Sequence, residues 1–158
     1  ILVILTRLGL RAGEVAGITL DDLDWRAGEL RVNGKGGRVD RLPLPADVGE
    51  LLAVYLKDGR PVSHHRAVFL TAGAPYRPIT RWTVNGIVGL ACDRAGVARC
   101  GPHRLRHLVA TETLRAGASL SEVAQLLRHS RASTSSLYAI PHPAAVAALA
   151  RPWPEMTP

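Results

Sequence analysis

The chain has 158 residues, of which 47% are hydrophobic and 21% are charged, a balance typical of one globular domain and not of a disordered segment. No apolar run approaches the roughly 20 residues that a membrane-spanning helix needs, so the sequence predicts none. The formal net charge of +7 and the pI of about 10.4 favour a polyanionic partner, either nucleic acid or an anionic membrane surface.

Two short helices separated by a turn are the first predicted elements. The apolar run ILVIL predicts the end of a helix over residues 1–6, and Gly9 predicts the turn that follows. A second helix is predicted over residues 12–18, with its apolar side chains facing inward. Arg11 therefore lies where the turn enters the second helix.

A hairpin is predicted next. Apolar residues recur over residues 29–32 and 38–44, and the glycine-rich run NGKGG separates the two segments. Lys35 would lie at the tip or shoulder of this hairpin, and residues 66–70 predict a third strand. The alternating apolar residues are Leu30 and Val32 in the first segment and Val39, Leu42 and Leu44 in the second.

The middle of the chain predicts two longer helices. An amphipathic pattern predicts the first over residues 46–57, closed by Gly59. Thr80 is suited to cap the second, which would run to about residue 95. The predicted apolar face of the first helix consists of Val48, Leu51, Leu52 and Tyr55.

The last third of the chain predicts further helices. Pro102 suits the first position of one, and the S-x-x-E pattern beginning at Ser119 predicts another that ends near Arg128. A capped turn would hold Tyr138, and the run AAVAALA predicts a final helix. Together, the elements predict a mainly helical α+β domain with a small three-stranded antiparallel sheet.

His103 and Arg106 are three residues apart on one predicted helix, so both side chains can reach a single phosphate. A solvated helix face is the ordinary alternative in an arginine-rich chain. A zinc site built from His103, His107 and His129 is a second alternative. The H-E-x-x-H pattern of zinc peptidases, however, requires Glu where Arg104 stands.

Lys35 and Arg11 also have ordinary interpretations. A lysine in a glycine-rich turn is usually solvated, and the glycines here do not form a nucleotide-binding P-loop. That loop needs a strand before it and a helix after it, whereas strands are predicted on both sides of Lys35. Arg11 can form an ion pair with Glu14, which is compatible with a phosphate contact.

Two cysteines, Cys92 and Cys100, are too few for a disulfide framework and have no neighbouring metal ligands. We interpret both as buried, unreactive thiols, as expected in a reducing compartment.

Four segments carry a resemblance to a known family: LGLRAGEVAGITLDDLDW, ELRVNGKGGRVDRLPLP, GPHRLRHLVATETLRAGASLSEVAQLLRHS and TSSLYA. In these segments the chain resembles the catalytic domain of tyrosine recombinases, the integrase-type site-specific recombinases. Glu14 matches the acidic residue that usually follows the first catalytic arginine, whereas Arg128 stands where glycine is most common. The six catalytic positions of the family match, in order, Arg11, Lys35, His103, Arg106, His129 and Tyr138.

The resemblance implies the fold of DNA breaking-rejoining enzymes and cleavage through a 3'-phosphotyrosyl link to Tyr138. It implies no cofactor and no metal, because the phosphotyrosyl bond retains the energy of the cleaved diester. The implied role is site-specific recombination in the cytoplasm. Residues 1–158 are expected to be the catalytic domain of a tyrosine recombinase and to lack the N-terminal DNA-clamping domain of the family.

Double-stranded DNA is the implied partner, and a homotetramer on DNA is expected for the full protein. No membrane and no small-molecule substrate are expected. Backbone contacts are expected from further arginines, which include Arg81, Arg99 and Arg104.

The resemblance also implies residue roles. Arg11 and Arg106 would stabilise the charge of the transition state, with a further hydrogen bond from His129. Lys35 would donate a proton to the departing 5' oxygen. The proton of the attacking tyrosine would pass to His103 or to a water that it orients, and the sequence leaves both possibilities open.

Two other functions stay open at this stage. A relaxing activity like that of type IB topoisomerases uses similar chemistry without exchanging partner strands. A non-catalytic DNA-binding remnant would keep the basic charge without the reaction.

Overall fold

The computed structural model describes residues 1–34, 37 and 39–128. Within these ranges the fold is mainly helical with one small antiparallel sheet, which confirms the predicted α+β class. The helices are α1 (Leu2–Leu8), α2 (Ala12–Ala16), α3 (Ala46–Val54), α4 (Arg81–Arg94), α5 (Pro102–Arg115) and α6 (Leu120–Leu126). The strands are β1 (Leu23–Asp24), β2 (Glu29–Asn33) and β3 (Val39–Pro43).

The turn between α1 and α2 requires its glycine. Gly9 ends α1 in the left-handed conformation, with φ of 58°, which side chains with a Cβ atom adopt at a cost. A Cβ atom built on Gly9 would also lie only 2.8 Å from Cδ2 of Leu127. The turn between α1 and α2 therefore lies against the end of α6.

The sheet has the order β1-β2-β3, and both strand pairs are antiparallel. The predicted hairpin is confirmed as β2 and β3, but the third strand is β1 and not residues 66–70. That segment forms isolated bridges only, where Ala67 faces Thr19 and Leu70 faces Pro78. Its continuous apolar run is buried in the core, a pattern that periodicity alone cannot distinguish from a strand.

Strand β3 places different side chains inward than the sequence suggested. Val39 is 54% exposed, so this apolar residue of the alternating pattern does not face the core. Side chains of a strand alternate between its two faces, so Asp40 lies on the same face as Leu42. Asp40 pairs with the buried Val32 of β2, and this register directs a carboxylate toward the interior.

Helix α3 is shorter than predicted. It ends at Val54, and residues Tyr55–Gly59 continue it as one π-helical turn. Val48 and Leu52 are buried one turn apart, whereas Leu51 is 54% exposed and does not belong to the buried face.

An apolar cluster that is smaller than the main core of the domain holds α5 against α6. Its buried members are Val109, Ala110, Val123 and Leu127. Full burial of a side chain such as Leu127 stabilises the fold by about 1.5 to 3 kcal/mol. The end of α6 is thereby fixed beside α5. His129 follows Arg128 directly in the sequence.

Among the described residues, no helix has the length and apolar character needed to cross a membrane. The predictions for Lys35 and for residues 129–158, which include His129, Tyr138 and the final helix, lie outside the described ranges.

Candidate active site

Arg11, His103 and Arg106 line one cleft of about 340 Å³. The cleft lies at the N-terminal end of α5, where the helix dipole favours a bound anion. The side chains come from two distant parts of the sequence, and the fold brings them together. The other lining residues are Leu10, Ala12, Asn85, Gly101 and Pro102.

Arg11 precedes the first residue of α2 and has an extended backbone. Its Nη1 donates a hydrogen bond to Oε1 of Glu14 at 2.7 Å, and its backbone N–H donates to Oε2 of the same carboxylate at 2.7 Å. The ion pair considered from the sequence is therefore present. The Arg11 side chain is still 49% exposed, so it is held at the cleft wall and remains accessible to a ligand.

Arg106 is the buried cation of the cleft, with only 2% of its surface exposed. Nη1 donates a hydrogen bond to the carbonyl oxygen of Gly9, and Nη2 donates to the carbonyl oxygen of Leu127. The guanidinium therefore joins the α1–α2 turn to the end of α6. Because a guanidinium is planar, these contacts also fix the orientation of the group.

His103 and His107 contact each other on α5. Their Nε2 atoms are 2.8 Å apart, and their rings meet edge to face with centroids 4.4 Å apart. Burial lowers the pKa of His107, and the neighbouring His103 and Arg106 lower it further. His107 therefore favours its neutral form, which is the form that can accept a hydrogen bond from His103.

Three polar groups near this cleft were not predicted from the sequence as part of the site. Asn85 of α4 lines it, and Arg128 and Asp40 meet behind Glu14. Nη2 of Arg128 donates to Oε2 of Glu14 at 2.7 Å, and its Nε lies 3.7 Å from Oδ2 of Asp40. The one available signal was the arginine at a position where the resembled family usually has glycine.

Burial is the main influence on Arg128 and lowers its pKa, whereas the Glu14 and Asp40 carboxylates act in the opposite direction. The positive charge of Arg11 lowers the pKa further. The pKa of a guanidinium is so high that the group stays cationic. Arg11 and Arg128 thus both bind the carboxylate of Glu14, whose side chain is 7% exposed.

The arginines expected to contact the DNA backbone lie on the surface. The Arg81 guanidinium lies 4.7 Å above the ring of Trp82, and Arg99 pairs with Asp93 at 2.5 Å. Arg104 is exposed on α5, beside His103 in the sequence.

The structure brings together three of the six predicted site residues. Lys35, His129 and Tyr138 lie outside the described ranges. Among the residues that are described, no group of three or more His, Cys, Asp or Glu side chains is arranged to hold a metal ion. The arginines of the cleft can bind and polarise an anion, and the imidazole of His103 can accept or donate a proton there.

Comparison with known proteins identifies the family. The model of the phage integrase family matches residues 1–144. The chain belongs to the phage integrase family. A Sinorhizobium fredii protein named as an integrase/recombinase, y4rA, is 46% identical over 153 residues, which are 95% of this chain and 37% of that protein. Tyrosine recombinase XerC of Staphylococcus haemolyticus is 34% identical over 139 residues, covering 87% of this chain and 47% of that protein.

A solved structure agrees with this assignment. XerH, in a pre-cleavage complex with its difH substrate, superposes with a TM-score of 0.73 at 25% identity, covering 93% of this chain and 43% of that chain. The predicted membership of the tyrosine recombinases and their fold are thereby confirmed. This phage integrase family chain spans less than half the length of these three relatives.

Proposed function

We propose that this chain is the catalytic domain of a site-specific recombinase, which cleaves and rejoins double-stranded DNA without metal through a 3'-phosphotyrosyl intermediate. The observation that carries the proposal is the cleft in which Arg11, His103 and Arg106 meet. Family membership supports the same reaction, since curated relatives are named tyrosine recombinases.

The charge and shape of the cleft suit a phosphodiester. Both guanidinium groups line the cleft, and a guanidinium presents planar N–H donors suited to the non-bridging oxygens, a geometry that lysine cannot reproduce. Arg106 is buried and oriented by two backbone carbonyls, so its charge does not reorganise when the transition state forms. The net charge of +7 would attract the DNA backbone to this surface.

The proposed reaction has two balanced steps. The Tyr138 oxygen attacks the scissile phosphorus, forms an O–P bond and releases the 5' oxygen, which leaves as a hydroxyl after it takes up a proton. In the second step, a 5' hydroxyl of the partner strand attacks the phosphotyrosine and restores both the diester and the tyrosine. No external energy source is needed, because one ester bond replaces another.

Proton transfer is the main requirement of the first step. At pH 7, only about one tyrosine in a thousand is ionised, a deficit of about 4 kcal/mol for the nucleophile. His103 lines the cleft and contacts His107, so it is the proposed proton acceptor, either directly or through a water. Lys35 is the proposed donor to the 5' oxygen, and His129 the proposed further hydrogen-bond donor.

The proposed partner is double-stranded DNA, in agreement with the similar XerH structure, which holds its difH substrate. The full protein is proposed to carry an N-terminal DNA-clamping domain and to act as a homotetramer on DNA in the cytoplasm. Arg81, Arg99 and Arg104 are proposed to contact backbone phosphates, where salt would weaken their contribution.

Covalent trapping tests the proposal. Nicked duplexes that tile the DNA on both sides of the gene are incubated with the full chain in EDTA. The nick lets the short cleaved fragment diffuse away, so the protein stays attached to DNA and migrates as an adduct in a denaturing gel. We expect an adduct with the unaltered chain, none with Tyr138→Phe, and an undiminished yield with the control Tyr76→Phe.

Four outcomes would contradict the proposal. An adduct that persists in Tyr138→Phe, or that requires divalent metal, would exclude this mechanism. Relaxation of supercoiled plasmid with no strand exchange between duplexes would indicate an activity like that of type IB topoisomerases. Salt-sensitive DNA binding with no adduct on any duplex would indicate a non-catalytic binding domain.

A further inference from the structure

We propose that Arg128 is a positioning residue that holds the β2–β3 hairpin and the end of α6 against the start of α2. These three segments carry Lys35, His129 and Arg11, which act on one phosphate in the proposed function. The inference therefore rests on that function.

Contacts of the Arg128 side chain connect the segments. Its Nη2 donates to Oε2 of Glu14, whose carboxylate also binds both the backbone and the side chain of Arg11. Its Nε forms an ion pair at 3.7 Å with Asp40, near the start of β3. The peptide bond after Arg128 leads directly to His129. One guanidinium thus links the helix of Arg11, the strand after Lys35 and the segment of His129.

Burial makes these contacts restrictive. The exposed fractions of the side chains are 5% for Arg128, 7% for Glu14 and 12% for Asp40. In such surroundings the carboxylates strongly favour an arrangement that keeps a cation between them, because an unpaired buried charge is costly. A shift of the hairpin away from α2 would separate the pair, so the ion pair resists that movement.

The position of Arg128 is unfavourable in other respects. Its φ of 52° lies in the left-handed region, which glycine adopts without the steric cost that a Cβ atom adds. Among the described residues, its Nε and Nη1 atoms have no hydrogen-bond partner. Buried ion pairs also contribute little net stability compared with apolar residues of similar size. An arginine that carries these two costs, and gains little net stability from its ion pairs, is better explained by its positioning effect than by stability.

Arg128 complements the contacts of Arg106. Arg106 binds the carbonyl oxygens of Gly9 and Leu127, which joins the α1–α2 turn to the end of α6. Arg128 adds the sheet to this arrangement through Asp40. Arg106 therefore fixes the helices around the cleft, and Arg128 fixes the hairpin against them.

A double-mutant cycle with hydrogen exchange tests the link without requiring activity. The full chain is compared with Arg128→Met, Asp40→Asn and the double variant, and exchange is measured for the β3 amides relative to those of α3. We expect Arg128→Met to accelerate β3 exchange about tenfold or more, because it leaves a buried carboxylate uncompensated. The double variant should show less than the product of the two single effects, since both changes break the same pair.

Arg115→Met is the matched control, because Arg115 pairs with Glu112 on the exposed surface of α5. It should leave β3 exchange unchanged. Arg128→Lys keeps the cation and should recover part of the protection lost in Arg128→Met. Should Arg128→Met not fold, Arg128→Lys and Asp40→Asn form the same cycle.

Covalent trapping supplies the functional measurement. At saturating nicked DNA, Arg128→Met should reduce the cleavage rate about tenfold or more, because small displacements of catalytic groups are costly. Its affinity for the same DNA should stay within about twofold, which separates positioning from binding. Multiplicative effects in the exchange cycle, or an unchanged cleavage rate beside an active unaltered chain, would overturn the inference. If the unaltered chain forms no adduct, the proposed function fails, and the exchange cycle still decides whether Arg128 links the segments.

Discussion

Arg106 donates a hydrogen bond from its buried guanidinium to the carbonyl oxygen of Gly9, which precedes it by 97 residues in the chain. The same group also binds the carbonyl of Leu127, so one side chain satisfies buried acceptors on two segments. Arg106 therefore lines the cleft of the proposed enzyme and also holds two distant segments of the chain together.

Arg106→Lys tests the contribution of Arg106 to stability and its contribution to cleavage. A lysine ammonium cannot reproduce the planar fork, so at least one buried carbonyl should lose its partner, at a cost of about 1 to 3 kcal/mol in unfolding free energy. The cleavage rate of the folded variant should also fall, because the transition state loses about 3 to 4 kcal/mol of stabilisation. This loss is larger than the loss of unfolding free energy. Urea unfolding and single-turnover cleavage measure the two effects. Arg115→Lys, exposed on the same helix and paired with Glu112, should change neither appreciably.

Gly9→Ala should destabilise the fold through two separate terms. The left-handed backbone costs an alanine roughly 1 to 2 kcal/mol, and the contact with Leu127 adds about 1 to 3 kcal/mol of overpacking. Gly96→Ala is the matched control, because Gly96 has φ of 66° but no atom within 4 Å of the added Cβ. Equal urea midpoints for the two variants would show that the Leu127 side chain moves away from the added Cβ atom without loss of unfolding free energy.

The stability of the protein should depend on pH through His107. Its pKa is lowered from 6.5 in the folded state, chiefly by burial and then by His103 and Arg106. The unfolded chain therefore binds more protons between the lowered pKa and 6.5, and the unfolding free energy rises with pH across that window. The contribution is fully present above 6.5 and is lost as the pH falls to the lowered value.

His107→Gln should flatten this dependence. Urea unfolding at about pH 7.5 and about pH 5.5 brackets the ordinary titration range of histidine. His64→Gln, at an exposed position, serves as the control and should keep the slope of the unaltered protein. An unchanged slope in His107→Gln would assign the pH dependence to another group.

Cys100 should react slowly with alkylating reagents. Burial raises the pKa of its thiol, and the sulfur of Cys92, 3.7 Å away, raises it further. A raised pKa leaves less thiolate at a given pH, and the thiolate is the reacting form. Mass spectrometry of the folded chain with iodoacetamide should therefore show slower modification at Cys100 than in the chain unfolded by urea. Equal rates would indicate that neither burial nor the second sulfur protects this thiol.

Local patterns determined a large part of this protein. Helix starts were predicted from Thr80, Pro102 and Ser119, and the hairpin from the alternation of Leu30 and Val32. These predictions succeeded because each signal acts over a few residues. The ordered arginine and histidine motifs also indicated the family, since the types and order of reactive residues are properties of the chain itself. Where periodicity was ambiguous, as in residues 66–70, the prediction of a third strand failed.

Only the tertiary structure decided which groups share a site. That Arg106 bonds to Gly9, and that Arg128 lies between Glu14 and Asp40, depends on how distant segments of the chain pack against one another. Burial then gives these contacts their strength, because a charge costs little in water and much in the interior. A sequence shows that an arginine is present, but its partners and burial arise only when distant segments pack together.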